Sequence, residues 1–218
     1  MSTPVRIGSD EAGKGPVLGP MVAAAVRVEP DALPSGVDDS KRLTPARREE
    51  LAAEIRAVAE RVGIGVVTTD RIDAPGTDMN TLTVDAHVEA LSGVVDAGDV
   101  AAVDAGDVSE SRFGRRVVAG VAGSGKDIEV RAEHGADERD PVVGAASIVA
   151  KVERDRRVAA LEAEYGDVGS GYPSDPKTRE FLREYVREHG RLPGCARASW
   201  KTCDDVLAAA HQSALDEF

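Results

Sequence analysis

Ile7-Gly-Ser-Asp-Glu-Ala-Gly-Lys-Gly15 is the stretch that decides the fold. Its approach, Val5-Arg-Ile-Gly-Ser9, alternates apolar and polar residues as a half-buried β-strand does. The strand delivers two adjacent carboxylates, Asp10 and Glu11, to its end and runs into a glycine-punctuated loop, residues 12–15. Val17 to Val28 is apolar and β-branched and reads as the returning strand of a hairpin. Asp10 should project inward. Glu11, as its neighbour, points the other way unless the strand stops there, and the glycine loop offers such a stop.

Outward from this hairpin, residues 30–43 read as a loop holding Asp38-Asp-Ser-Lys-Arg42. Thr44-Pro45 is a helix start with proline at the first helical position. Leu51, Ile55, Val58 and Val62 follow at helical spacing. Gly63 to Thr69 reads as a third strand. Asn80 or Thr81 caps a second helix with Leu82, Val88, Leu91 and Val95 inward. Val100 to Val103 is a short buried strand ending at Asp104, and Ile128 to Ala132 alternates as another. Asp140-Pro141 opens a long helix to about Tyr165. Ser174 caps a helix with Thr178, Phe181, Leu182, Tyr185 and Val186 on one face, and a last helix spans about 200–211. Strands gather early and helices late. The expected class is therefore α/β: a mixed central sheet flanked by helices, with a C-terminal helical region. The expected organisation is a catalytic domain over 1–165, a helical region over 166–211 that completes the substrate site, and a tail over 212–218.

Of Asp10, Glu11, Asp104 and Asp137, three stand in or beside apolar or glycine-rich runs. Taken singly, each has an ordinary reading as a cap or surface carboxylate. Gathered by the fold, they would form a cluster of like charges that cannot all stay ionised without cations. Oxygen-only donors suit hard divalent ions such as Mg²⁺.

The chain has 218 residues and a net charge of −12, with 27 basic residues of which only six are lysine, and 3% aromatics. No run is long and apolar enough to span a membrane, and Met1-Ser-Thr-Pro-Val lacks a signal-peptide layout. Cys195 and Cys203 are too few for a disulfide framework. The expectation is a monomeric cytoplasmic protein. An acidic, lysine-poor, aromatic-poor composition resembles that of proteins from halophilic organisms. In molar salt the Debye length is roughly 3 Å, so repulsion from a polyanion is mostly screened. Counterion release on phosphate contact loses most of its driving force as well. An acidic protein with no polyanionic partner is the alternative that composition leaves open.

Gly8-Ser-Asp-Glu-Ala-Gly-Lys-Gly-Pro-Val-Leu-Gly-Pro20 resembles the opening signature of the ribonuclease HII family. So do Asp39-Ser-Lys41, Val103-Asp104-Ala105, Glu133-His-Gly-Ala-Asp137, Val142-Val-Gly-Ala-Ala-Ser-Ile-Val-Ala-Lys151 and Gly169-Ser-Gly-Tyr-Pro-Ser-Asp175. They occur in family order, with the last acidic motif spaced as in the archaeal branch. The resemblance implies a ribonuclease H-like fold and an endonuclease that cleaves the RNA strand of RNA–DNA hybrids. It also implies incision at ribonucleotides embedded in duplex DNA, leaving 3′-hydroxyl and 5′-phosphate ends, with roles in ribonucleotide excision and RNA primer removal. By motif, Asp10, Glu11, Asp104 and Asp137 become catalytic ligands of two Mg²⁺ or Mn²⁺ ions. Gly13, Lys14 and Gly15 become the loop that contacts the ribose 2′-hydroxyl, and Tyr172 the tyrosine that stacks on the sugar at the RNA–DNA junction. Lys14 departs from the family pattern, which has arginine there; a point charge replaces a planar fork. Ser40 and Lys41 are expected on phosphate. Ser147 and Lys151, one helical turn apart, have a phosphate-binding and a structural reading. His134 reads as a local hydrogen-bonding residue.

Gly120-Val-Ala-Gly-Ser-Gly-Lys126 imitates a phosphate-binding loop, the mark of a nucleotide-binding ATPase. Asp127 stands where such loops need Ser or Thr, and the alternating Ile128-Glu-Val-Arg-Ala that follows is a strand where a helix is required. The tail Gln212-Ser-Ala-Leu-Asp-Glu-Phe218 fits the Gln-x-x-Leu-x-x-Phe pattern of peptides that dock on the replication sliding clamp. One helical turn would put Leu215 and Phe218 on one side, and a frayed helix end is the alternative.

Overall fold

The computed structural model describes residues 4–37 and 43–216, with side chains described as far as Gln212. The chain packs as two compact units. The first comprises Met1–Ala12, Met21–Val67 and Met79–Arg154; the second comprises Gly13–Pro20, Thr68–Asp78 and Asp155–Phe218. This division is not linear in sequence. Two short early segments pack with the C-terminal helices, whereas the sequence alone suggests a boundary near 165. No helix among the described residues is long and apolar enough to cross a membrane.

The first unit holds a five-stranded mixed sheet built from β1 (Arg6–Ala12), β2 (Met21–Val28), β3 (Arg61–Val67), β4 (Val100–Asp104) and β5 (Glu129–Glu133). Its order is β3-β2-β1-β4-β5. The hairpin partners β1 and β2 and the next pair β2 and β3 are antiparallel, while β1–β4 and β4–β5 are parallel. β2 starts at Met21 rather than Val17, because Val17 and Leu18 belong to the apolar cluster of the second unit.

Helices α1 (Pro45–Val58), α3 (Met79–Ser92), α4 (Glu110–Ala122) and the start of α5 (Pro141–Tyr165) cover this sheet. Thr44 caps α1 by accepting from the Arg47 amide. Leu51 and Ile55 are buried as their spacing predicts, but Val58 is 41% exposed and Val62 lies in β3. The helix stops at Val58 because Ala59 turns extended. α3 begins at Met79, ahead of the caps that the sequence suggests. Helix α4 goes unread in the sequence, although Phe113, Val117 and Val121 recur at helical spacing and Ser109 caps it. The Lys126 ammonium of the imitation phosphate loop donates 2.8 Å bonds to the carbonyls of Ser92 and Val95. There it satisfies the exposed end of α3.

The core below the sheet joins Ala24, Val26 and Val28 of β2 to Leu51 and Ile55 of α1 and to Val142, Ala145, Ile148 and Val149 of α5. α5 lies so close to β1 that a β-carbon on Gly8 would stand 2.5 Å from the Val142 backbone carbon. Only glycine fits that crossing. The second unit contains α2 (Thr69–Ile72) and packs the end of α5, α6 (Pro176–His189) and α7 (Lys201–Asp216) around Val17, Leu18, Val168, Leu182, Val186 and Val206. Asp175, not Ser174, caps α6, by accepting from the Lys177 amide. α7 runs on to Asp216, beyond the end near 211 that the sequence suggests. Both cysteines are free and buried here, and burial pushes the Cys195 thiol up to about 12 and the Cys203 thiol to about 11.

Gly8→Ala should lower stability by about 1–3 kcal/mol, the range for overpacking a fixed backbone contact. Urea unfolding at constant salt measures it, and an unchanged midpoint would mean that α5 shifts away without penalty.

Candidate functional site

Asp10 and Glu11 lie in the last rungs of β1's ladder, Asp104 closes β4, and Asp137 lies in the turn after β5. β1 pairs with β4 through Ser9↔Val103, so Asp10 and Asp104 are the next residues of two parallel neighbours. Asp104 pairs across to Glu133, and the Glu133-to-Asp137 turn leads to a short 3₁₀ turn, Ala136–Glu138, that holds Asp137 buried. β1 does not stop at Glu11. Its ladder with β2 continues through Glu11↔Ala23 and Ala12↔Val22, so the early ending that the glycine loop suggests does not occur. Pleating therefore sends Asp10 to the α5 face and Glu11 to the α3 face.

Each acid of the pair meets its own supply of donors. On the α5 side, Lys151 Nζ donates to Ser147 Oγ at 2.6 Å, and the Ser147 hydroxyl bonds to Asp10. Asp10 Oδ1 also accepts from the Glu11 amide at 2.7 Å. On the α3 side, His87 Nε2 lies 2.9 Å from Glu11 Oε2, and His87 Nδ1 lies 2.9 Å from Ser9 Oγ. Asp104 Oδ1 accepts from the Ala136 amide at 2.8 Å, which ties the end of β4 to the turn that carries Asp137.

The electrostatics couple all four. The Asp10 carboxyl is held well above the usual carboxylate range, first by burial and then by the charge of Glu11; Ser147 opposes this, and the charge of Asp104 adds to it. Asp104 is raised by burial, opposed by the Ala136 amide, and raised further by the charges of Glu11 and Asp137. Among the described residues, no three Asp, Glu, His or Cys side chains form a group that could hold a metal ion as they stand. The four acids are thus charge-coupled neighbours, each engaged with a protein partner. Their chemistry still fits hard divalent cations: every donor is a carboxylate oxygen, and a nearby cation would relieve both the burial and the mutual repulsion that raise Asp10 and Asp104.

The glycine loop belongs to the second unit. Gly13 has φ +88°, a conformation that other residues rarely adopt. Arg197 is fully buried and holds the loop by its carbonyls: Nη2 donates to Gly13 at 2.6 Å, Nη1 to Lys14 at 3.0 Å and Nε to Gly19 at 2.9 Å. Trp200 stacks 5.0 Å from that guanidinium and donates to the Gly15 carbonyl at 3.3 Å. The Gly171 carbonyl accepts from the amides of Val17 and Leu18, and this pairing sets Tyr172, 41% exposed, beside Gly15.

Ser40 and Lys41 lie outside the described residues, as do Phe218 and the Leu215 side chain; Gln212 is exposed on α7. His134 is used locally, with Nε2 2.7 Å from the Asp107 carbonyl and Nδ1 3.0 Å from Glu110. Sequence reading missed Arg197 and His87. A lone arginine far from the glycine loop carries no local signal. His87 lies between the buried positions Val84 and Leu91 of α3 and could have been found from that face.

The profile of the Ribonuclease HII family matches residues 7–203. The chain is 64% identical to the Ribonuclease HII of the halophilic archaeon Haloarcula marismortui over 98% of this chain and 100% of that one. Among solved structures it resembles the ribonuclease H2 of Pyrococcus horikoshii, with TM-score 0.87, 36% identity, and coverage of 96% of this chain and 100% of that one. It also resembles a structure of the PCNA:RNase HII complex from Archaeoglobus fulgidus, with TM-score 0.82, 41% identity, and coverage of 91% and 96%.

Arg197→Lys should destabilise the chain by about 1–3 kcal/mol, because one ammonium cannot meet three carbonyl directions. Chemical unfolding reads the loss, and limited proteolysis should then cut first within 13–20. Parental stability and protection would remove the loop-pinning role.

Proposed function

We propose the following division of labour for this chain, which belongs to the ribonuclease HII family and is a hydrolytic endoribonuclease with a ribonuclease H-like fold. Asp10, Glu11, Asp104 and Asp137 hold divalent cations, Mg²⁺ or Mn²⁺, two during catalysis. The observation that carries this is the convergence of buried Asp10 and Asp137 with half-buried Glu11 and Asp104, charge-coupled to one another, on β1, on its parallel neighbour β4 and on the turn tied to β4. When bound, such ions supply an activated water on one side of the phosphodiester and charge relief on the other. The products carry 3′-hydroxyl and 5′-phosphate ends.

The chain's own groups prepare that chemistry. Lys151 and Ser147 orient Asp10 on one face of β1, a structural use of the pair that the sequence left open against phosphate binding. The Ala136 amide fixes Asp104. Gly13, Lys14 and Gly15 read the ribose 2′-hydroxyl, the group that separates RNA from DNA. Arg197 occupies the carbonyls of Gly13 and Lys14, so the loop keeps one backbone shape. Tyr172, half exposed beside Gly15, offers its ring to the sugar at the RNA–DNA junction. Ser40 and Lys41 contact phosphate. The substrates are RNA–DNA hybrids and duplexes with embedded ribonucleotides, and the biological work is ribonucleotide excision and RNA primer removal.

The protein should incise a duplex carrying one ribonucleotide in Mg²⁺ or Mn²⁺ at molar salt. Asp104→Asn should reduce incision by more than about 100-fold, beyond the usual loss for a merely supporting group. A variant as active as its parent would falsify the metal assignment.

Gln212, Leu215 and Phe218 form a docking peptide for the replication sliding clamp. The Archaeoglobus relative, solved as a complex with PCNA, supports this reading. Deleting 212–218 should abolish clamp binding in a surface-capture assay and leave incision of a free duplex intact. Equal clamp affinity of the full and shortened chains would exclude the tail as the docking site.

A further inference from the structure

Helix α3 brings an imidazole to the sheet face that carries Glu11. His87 is fully buried, and a buried imidazole is tolerated only when its nitrogens are engaged. Both are: Nε2 with Glu11 Oε2 and Nδ1 with Ser9 Oγ, each at 2.9 Å. An ionised carboxylate only accepts, so Nε2 carries the hydrogen of the Glu11 bond. Ser9 also lies 2.9 Å from the Ala24 carbonyl of β2, and its single hydroxyl proton serves either that carbonyl or Nδ1. Phe113 of α4 meets the ring edge-on, with centroids 5.2 Å apart and planes at 89°. The imidazole is thus fixed by β1, by its own helix and by α4. Ser9 and Glu11 are two apart on β1 and share a face, so one ring can bridge them.

We propose that His87 is a positioning residue for Glu11. Its Nε2–H holds one carboxylate oxygen in place and leaves the other, Oε1, for a cation. This deepens the reading of Glu11 as a metal ligand and rests on it. Groups that orient ligating side chains typically contribute about 10–100-fold in metal affinity. A histidine that merely fills the core predicts a different readout: Phe in its place would change stability but leave Mn²⁺ affinity at the parental value.

The test is Mn²⁺ binding to the full chain without nucleic acid, by isothermal titration, alongside kcat and KM on a duplex with one ribonucleotide. His87→Phe should weaken Mn²⁺ binding by about 10–100-fold and lower kcat at subsaturating Mn²⁺. KM for the duplex should stay within about threefold, since the variant removes no substrate contact. His87→Gln keeps an N–H that can reach Glu11 and should restore Mn²⁺ affinity to within about fivefold of the parent. Ser9→Ala should give a smaller loss in the same direction. Parental Mn²⁺ affinity in folded His87→Phe overturns the inference, as does a His87→Gln no better than His87→Phe. Should His87→Phe fail to fold, parental affinity in Ser9→Ala overturns it instead. Glu11→Gln and Asp104→Asn separate the two readings. If they bind Mn²⁺ like the parent, the metal assignment itself falls. If they lose it while His87→Phe does not, only the role of His87 falls.

Discussion

Two neighbouring carboxylates in a fully paired strand must face opposite sides of the sheet, and the arrangement of the first unit follows from that parity. Asp10 turns toward α5 and Glu11 toward α3. Neither face can leave its acid unsupported, because an uncompensated buried carboxylate is among the most destabilising groups a core can hold. Each covering helix therefore brings a polar chain into an otherwise apolar surface: Lys151–Ser147 from α5, and His87 from α3 with Ser9 behind it. Gly8, two residues before Asp10 and on the same face, lets α5 approach closely enough for the first of these chains to form.

Much of this was legible in the sequence because it is local. Thr44-Pro45 announced α1, the alternation around Ile7 announced β1, and Asp104 closed a recognisable strand, although only Ala101 and Val103 of it are buried and Val100 is exposed. What escaped was set by tertiary partners. Glu11 could have been released by a strand ending at the glycines, yet pairing with Val22 and Ala23 outweighs that local signal. Val62 continued a helical spacing but was claimed by β3. Ser174 and Asp175 were both competent caps, and only the backbone path chose between them. α4 had a readable apolar stripe, obscured by a glycine-rich run that imitates a phosphate loop.

Charge is organised at short range throughout. Arg27 reaches Asp99, Asp96 and Glu60, and Arg61 shares Asp96, so one network ties β2 and β3 to the turn before β4. Exposed pairs of this kind contribute little singly and are weakened by salt. The contacts that define the candidate site are of another sort: buried, hydrogen-bonded and directional. A composition suited to concentrated salt is compatible with nucleic-acid work as long as the decisive contacts are of this second sort.

The grip of Arg197 on the loop at 13–19 also bears on biosynthesis. Chains emerge from the ribosome N-terminus first, so β1 and its acid pair exist long before residue 197 does. Until that arginine arrives, the carbonyls of Gly13, Lys14 and Gly19 lack the guanidinium that fixes them. A nascent or prematurely terminated chain can carry all four acids while the loop at 13–19 still lacks that clamp. The fixed shape of the loop is therefore a property of the chain through residue 197, and no N-terminal fragment has it.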